Sequence, residues 1–172
     1  MEAIGYSIWL EPEGNLKGRL NKVIQTLAQE NGTPVFEPHV TLIGGMEGSE
    51  ADIKRNTESL ALKMKPFSIE LTGQIGCEET WQKAVFVCVR ETDPVMEANR
   101  LARLEFNLPS GDIYKPHLTL MYSDSILMER RIAITRGLNR LDVTGQFDVS
   151  RIRLNRNGKV EEWVKLAEFP LQ

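Results

Sequence analysis

Pro38-His39-Val40-Thr41-Leu42 and Pro116-His117-Leu118-Thr119-Leu120 are nearly one pentapeptide written twice, and they hold both histidines of the chain. Imidazole titrates near neutrality and is the commonest general acid or base. In an extended strand, residues two apart face the same way. Each motif therefore offers one imidazole and one hydroxyl to one surface. Two such strands facing each other would carry two proton-transfer groups and two neutral donors. That set suits the opening of a cyclic phosphodiester. One imidazole deprotonates water while the other protonates the departing oxygen, in line across phosphorus. The hydroxyls of Thr41 and Thr119 donate to the non-bridging oxygens as their charge grows.

Outward from the first motif, residues 4–10 form an apolar run that reads as a strand. Gly14-Asn15 then opens a helix with Leu16, Leu20, Val23, Ile24 and Leu27 at helical spacing, stopped by Asn31-Gly32 and Pro34. Residues 35–44 make the first histidine strand, ended by Gly44-Gly45. Ser49 with Asp52 forms a capping box for a helix to about Lys63, and residues 67–71 alternate as a half-buried strand. The pattern then recurs. Residues 84–89 are an apolar strand, and Asp93-Pro94 starts a helix to about Asn107. Pro109-Ser110-Gly111-Asp112 reads as a turn before the second histidine strand at 113–122. Ile8 precedes His39 by 31 positions and Val87 precedes His117 by 30, so a strand–helix–histidine-strand unit occurs twice. Ser123-Asp124 caps a third main helix to about Gly137. Residues 147–154 and 160–169 then pair across Asn157-Gly158, a tight-turn signal. No low-complexity linker divides residues 1–172, which read as one domain of two lobes around a cleft.

The net charge of −3 supplies no global basic field of the kind that dominates binding to long nucleic acid. A small anion needs only local donors. No apolar run approaches a membrane span, and the stretch from Met1 to Tyr6 lacks the basic region and long apolar core of a secretory signal. Cys77 and Cys88 are too few for a disulfide framework and lack metal-ligand spacing. Both are expected to be reduced, in a cytoplasmic setting. A zinc site on the two histidines would need further ligands that neither motif has nearby, so no metal or cofactor is expected.

The duplicated His-x-Thr strands resemble the 2H phosphoesterase superfamily. Within it, Tyr6-Ser7-Ile8-Trp9-Leu10, Val85-Phe86, Pro94-Val95-Met96-Glu97-Ala98, Tyr114-Lys115 ahead of the second motif and Arg153-Leu154-Asn155 resemble the plant-type cyclic phosphodiesterases. The resemblance implies an α+β, bilobal fold of duplicated β-α-β units, with antiparallel sheets lining a central cleft and pseudo-two-fold symmetry. It implies hydrolysis of nucleoside 2′,3′-cyclic phosphates to 2′-phosphates and of ADP-ribose 1″,2″-cyclic phosphate, with a place in RNA or tRNA processing. His39, Thr41, His117 and Thr119 become the catalytic set, with Thr119 where the plant-type motif often has serine. Following related enzymes, His117 with Thr119 positions water and His39 protonates the leaving oxygen. Tyr122 matches an aromatic that family members use beside the ligand. Strict alternation puts it on the face opposite His117, so a bend or strand end must intervene. Trp81 is the second aromatic expected beside the base. The partner is then a small cyclic phosphate nucleotide, met by a monomer without membrane contact.

Three other readings compete. The same chemistry on RNA termini, as in the 2′-5′ RNA ligase-like branch, would draw on Arg151, Arg153, Arg156 and Lys159, which read more simply as an exposed charged hairpin. A nucleotide-binding module without turnover would have no need of two intact His-x-Thr motifs. A scaffold would need a distinctive patch, which the sequence does not offer.

Overall fold

The computed structural model of the chain describes residues 1–109 and 113–172. The turn expected at 109–112 therefore lies largely outside the described residues. The elements run β1 (Tyr6–Leu10), α1 (Gly14–Asn31), β2 (Val40–Met46), α2 (Glu50–Lys63), β3 (Phe67–Gly76), β4 (Val85–Val89), α3 (Asp93–Glu105), β5 (His117–Met121), α4 (Met128–Gly137), β6 (Thr144–Val149), β7 (Arg151–Arg156) and β8 (Val164–Pro170). All pairings are antiparallel in one curled sheet of order β6-β3-β4-β5-β2-β1-β7-β8. The fold is α+β.

The middle of that order is a seam. β2 and β5 pair only at Val40–Leu118, and each half beyond it repeats the other, β2-β1-β7-β8 against β5-β4-β3-β6. Opposite the two threonines stand Trp9 and Phe86. The structure thus equates Trp9 with Phe86, where sequence spacing equated Ile8 with Val87. One face of the sheet buries Ile8, Leu10, Val40, Leu118 and Leu120 with Leu16 and Leu20 of α1, Ile53 and Leu60 of α2, and Val95, Ala98 and Ala102 of α3. Each buried aliphatic side chain of this kind contributes about 1.5–3 kcal/mol. The other face of the central strands is left for the cleft.

Several boundaries differ from the sequence reading, each for a local reason. β1 starts at Tyr6 because Gly5, at φ +66°, lies against the Met46 carbonyl, where any Cβ would clash. The first histidine strand enters the ladder only at Val40, after Pro38, and runs through Gly44-Gly45 to Met46 rather than ending there. The second starts at His117, directly after Pro116. Ser123 does not cap α4. Its hydroxyl accepts from the amides of Ser125 and Ile126, closing a turn that delays the helix to Met128. Residues 147–154 are two strands broken at Ser150: β6 pairs with β3 at one sheet edge, while β7 lies between β1 and β8. That single-residue break carries the chain from one lobe to the other. Residues 160–162 form a 3-10 turn ahead of β8 instead of strand. Among the described residues no helix is long and apolar enough to cross a membrane.

Candidate active site

Both histidine strands carry a bulge at the same place. Thr41 opposes Trp9 but Ile43 opposes Ile8, so Leu42 is the extra residue; Thr119 opposes Phe86 but Met121 opposes Val85, so Leu120 is the extra residue. A bulge reverses the alternation beyond it. Tyr122, five residues after His117, therefore returns to the face of His117 and Thr119. This is the bend that its sequence position required. Gly44, five residues after His39, returns in the same way to the face of Trp9 and Ser7.

His39, Thr41, His117, Thr119, Tyr122 and Trp81 all line one cavity of about 430 Å³. Ser7, Trp9, Gln82, Asn157 and Trp163 line it too. Each imidazole is held in the same way. His39 Nδ1 lies 2.7 Å from the Glu37 carbonyl and His117 Nδ1 lies 2.8 Å from the Lys115 carbonyl. A carbonyl only accepts, so both Nδ1 atoms carry hydrogen and each Nε2 keeps a lone pair. The proline between carbonyl and histidine fixes φ in this short clamp.

The surroundings differ. His39 is 3% exposed and lies flat on Trp9, with ring centroids 3.5 Å apart and planes 5° apart. His117 meets Phe86 edge-on at 5.4 Å. Burial pushes His39 down to about 3, with the Glu37 carbonyl opposing and the Arg153 charge adding to the fall. Burial also lowers His117, against the Lys115 carbonyl and helped by Lys83. Both shifts favour the neutral ring. The guanidinium carbon of Arg153 lies 5.0 Å from the Trp9 ring, and Arg153 is bonded to Glu37, to Glu11 at 2.8 Å and to Asn155 Oδ1 at 2.7 Å.

The hydroxyl of Thr119 donates to the Gln82 carbonyl at 2.8 Å. Tyr122 is buried, with its hydroxyl 3.4 Å from His39 Nε2, and burial raises the phenol against a hydrogen bond to Thr119. Trp81 sits in a 3-10 turn, 5.6 Å from the Tyr122 ring.

Sequence reasoning missed two parts of this cleft. Trp163 stands edge-on to Trp9 and Tyr122, each at 5.4 Å, and to His39 at 6.0 Å. It arrives from the segment before β8, and nothing local in the sequence signals it. Trp9 Nε1 donates to Ser7 Oγ at 2.8 Å, and Ser7 donates to Asn157 Oδ1 at 2.7 Å. Ser7 and Trp9 were legible in principle, being two apart on a strand beside a histidine strand. Arg151, Arg153, Arg156 and Lys159 are all ion-paired, with Glu13 and Glu168, Glu11 and Glu37, Glu50, and Glu162 respectively. The cluster is a neutralised surface. Among the described residues no three His, Cys, Asp or Glu side chains are grouped to hold a metal ion.

Compared with known proteins, residues 10–161 match the model of the 2′-5′ RNA ligase superfamily. The chain belongs to that superfamily. A cyclic phosphodiesterase of Arabidopsis thaliana is 26% identical over 151 residues, covering 88% of this chain and 81% of that protein. E. coli LigT in complex with phosphate superposes with a TM-score of 0.66 at 15% identity, over 100% of this chain and 99% of that one. TT0787 of Thermus thermophilus gives 0.65 at 14% identity, over 98% of each chain. These solved structures share the fold of this chain. Family and relative together make the chain a phosphodiesterase, a hydrolase.

Proposed function

We propose that the chain is a metal-independent cyclic phosphodiesterase, hydrolysing nucleoside 2′,3′-cyclic phosphates to 2′-phosphates and ADP-ribose 1″,2″-cyclic phosphate to its 1″-phosphate. The observation that carries this reading is the pair of imidazoles clamped identically through Nδ1 and lining one shared cleft. One Nε2 takes a proton from water as its oxygen attacks phosphorus. The phosphorus–oxygen bond opposite breaks, and the other imidazole, protonated, gives its proton to the departing ribose oxygen. One water is consumed and the ring opens.

Thr41 and Thr119 donate to the non-bridging oxygens in this reading, Thr119 turning its proton from the Gln82 carbonyl to the ligand. Being neutral, they do not trap the anionic product. Tyr122 and Trp81 flank the nucleoside. The family likeness makes His117 the base and His39 the acid, whereas the deeper burial of His39 favours the reverse, because a general acid must start protonated and burial disfavours that form of His39 most. A small cyclic nucleotide is the substrate favoured over RNA ends reached through Arg151, Arg153, Arg156 and Lys159, since each of those charges already has a carboxylate partner. A monomer in the cytosol, with Cys77 and Cys88 reduced, completes the reading.

The test is turnover of adenosine 2′,3′-cyclic phosphate and ADP-ribose 1″,2″-cyclic phosphate with a chelator present, beside His39→Ala and His117→Ala. Each change is expected to lower kcat by about 10²–10⁴-fold while ligand affinity is largely kept. Failure to open either compound would reject the small-molecule reading. Unchanged turnover in both variants would reject the two-histidine mechanism.

A further inference from the structure

The symmetry that repeats the motifs also repeats the notches on either side of the Val40–Leu118 pair, where β2 and β5 part. On one side Phe36, three residues before His39, meets Tyr122, five after His117, with ring centroids 4.3 Å apart. The equivalent pair across the pseudo-two-fold is Tyr114, three before His117, and Gly44, five after His39. There the notch stays open. Tyr114 donates its hydroxyl to the Thr41 carbonyl at 2.9 Å, and Gly44 has no side chain to set against it.

The result is a groove of about 270 Å³ that joins the catalytic cleft, with Thr41, Gly44 and His117 lining both. The charged side chains on its walls are Lys83, Arg103 and Lys115, and among the described residues no carboxylate lines it. Lys83 is also 3.4 Å from Glu78, and its charge reaches His117. Lys115 occupies the place that Glu37 holds in the other motif. The duplicated carbonyl clamp is the same, but the side chain charge is opposite. A groove whose described walls carry three cationic side chains and no carboxylate, opening from a cleft read as a phosphodiesterase site, matches one chemistry, that of a second phosphate.

We propose that this groove is an anion subsite for a further phosphate carried by the substrate away from its cyclic phosphate. It rests on the reading of the cleft as a cyclic phosphodiesterase site. The phosphate has two sources of the same chemistry, an internucleotide diester or a phosphate or diphosphate on the ribose 5′ oxygen.

The experiment compares kcat/KM for adenosine 2′,3′-cyclic phosphate with that for the same compound bearing a 5′-phosphate. The 5′-phosphate is expected to raise kcat/KM by about tenfold or more at low salt, in keeping with a charge-assisted hydrogen bond, and the advantage shrinks as salt rises. Lys83→Ala with Lys115→Ala removes the advantage, whereas Lys115→Arg keeps it. Equal kcat/KM for the two compounds in the unmodified protein, or an advantage that survives the double change, overturns the subsite and leaves the cyclic phosphodiesterase intact. No turnover of either compound sinks the underlying reading and the subsite together. An advantage shown by the adenosine dinucleotide ending in a 2′,3′-cyclic phosphate, or by ADP-ribose 1″,2″-cyclic phosphate, and lost in the double variant supports the subsite; the larger of the two names the source.

Discussion

The two halves of the seam carry the same clamped His-x-Thr arrangement in unlike settings. Both histidines are clamped through Nδ1 to the carbonyl two residues back, and both strands bulge one residue after the threonine. Around His39 the walls are aromatic and closed: Trp9 stacks on it, and Phe36 and Tyr122 fill the notch. Around His117 they are open and basic, with Gly44 in place of the tyrosine and Lys115 in place of Glu37. The two halves thus share the backbone clamp that the proposed proton transfer needs. The side chains around that clamp differ between the halves. An asymmetric substrate requires such divergence, because a symmetric site would bind it equally well in two directions.

The sharpest way to break the comparison is to ask which histidine is the acid. A 2′,3′-cyclic phosphate with sulfur in place of the 3′ bridging oxygen has a leaving group that needs no proton. It should restore most of the rate lost on replacing the acid, a recovery of about 10²-fold or more, and none of that lost on replacing the base. Rescue of His39→Ala supports the family-derived order. Rescue of His117→Ala supports the order suggested by burial. Equal rescue of both would mean that the two imidazoles do not divide the work.

Burial itself can be read from stability. The folded values of both histidines lie below the ordinary 6.5, His39 at about 3. Between these limits the unfolded chain binds the proton that the folded chain refuses, so stability falls as pH drops from 6.5. Each fully excluded proton costs about 1.4 kcal/mol per pH unit. Glu37, where burial raises the carboxyl but Arg153 outweighs it and leaves it below 4.5, adds its own loss only at lower pH. Urea unfolding at pH 6.5 and pH 4.5 should therefore show a loss that His39→Gln reduces and His39→Gln with His117→Gln reduces further, the remainder belonging to the lowered carboxylates. A pH dependence untouched by either change would place both rings in contact with water.

The open notch can be closed. Gly44 has no positive φ, and a Cβ there would meet Thr41 Cγ2 at 3.7 Å and Ser7 Cβ at 3.8 Å, ordinary contact distances. Gly44→Phe restores the aromatic wall found on the other side. It should abolish the roughly tenfold preference for a 5′-phosphorylated substrate while adenosine 2′,3′-cyclic phosphate is still opened, as read from the ratio of the two kcat/KM values. A preference that persists would mean that the phosphate does not pass Gly44.

How much of this was legible depends on the distance over which each feature is encoded. The His-x-Thr pairs and the helices follow from short-range pattern, whereas the α+β class and the place of Tyr122 beside the ligand were implied by the family resemblance. The bulges at Leu42 and Leu120 were invisible, because a bulge is a property of two strands in register and the sequence shows only one at a time. The break at Ser150 was missed for the same reason. Residues 147–154 alternate acceptably as one strand, and only their partners, β3 on one side and β1 with β8 on the other, divide them. Trp163 belongs to the cleft through that topology alone. The arginine cluster looked basic in sequence because its carboxylate partners, from Glu11 to Glu168, lie far away along the chain.

The smallest effect tests whether Tyr122 serves His39 or merely fills space. Its ring packs on Phe36 and Trp163, contacts that phenylalanine would retain. Its hydroxyl is 3.4 Å from His39 Nε2, too long for a strong bond. In the proposed mechanism His39 Nε2 turns to the ligand, and this long contact is what the hydroxyl gives up. Tyr122→Phe should thus cost about threefold in kcat, with KM nearly unchanged and the fold stability preserved. Steady-state kinetics across pH 5–8 checks it. A loss as large as that of His39→Ala would make the phenol part of the proton path. A rise in KM at constant kcat would instead place the hydroxyl on the bound nucleotide, so that the closed notch, like the open one, would be reading the ligand rather than the histidine.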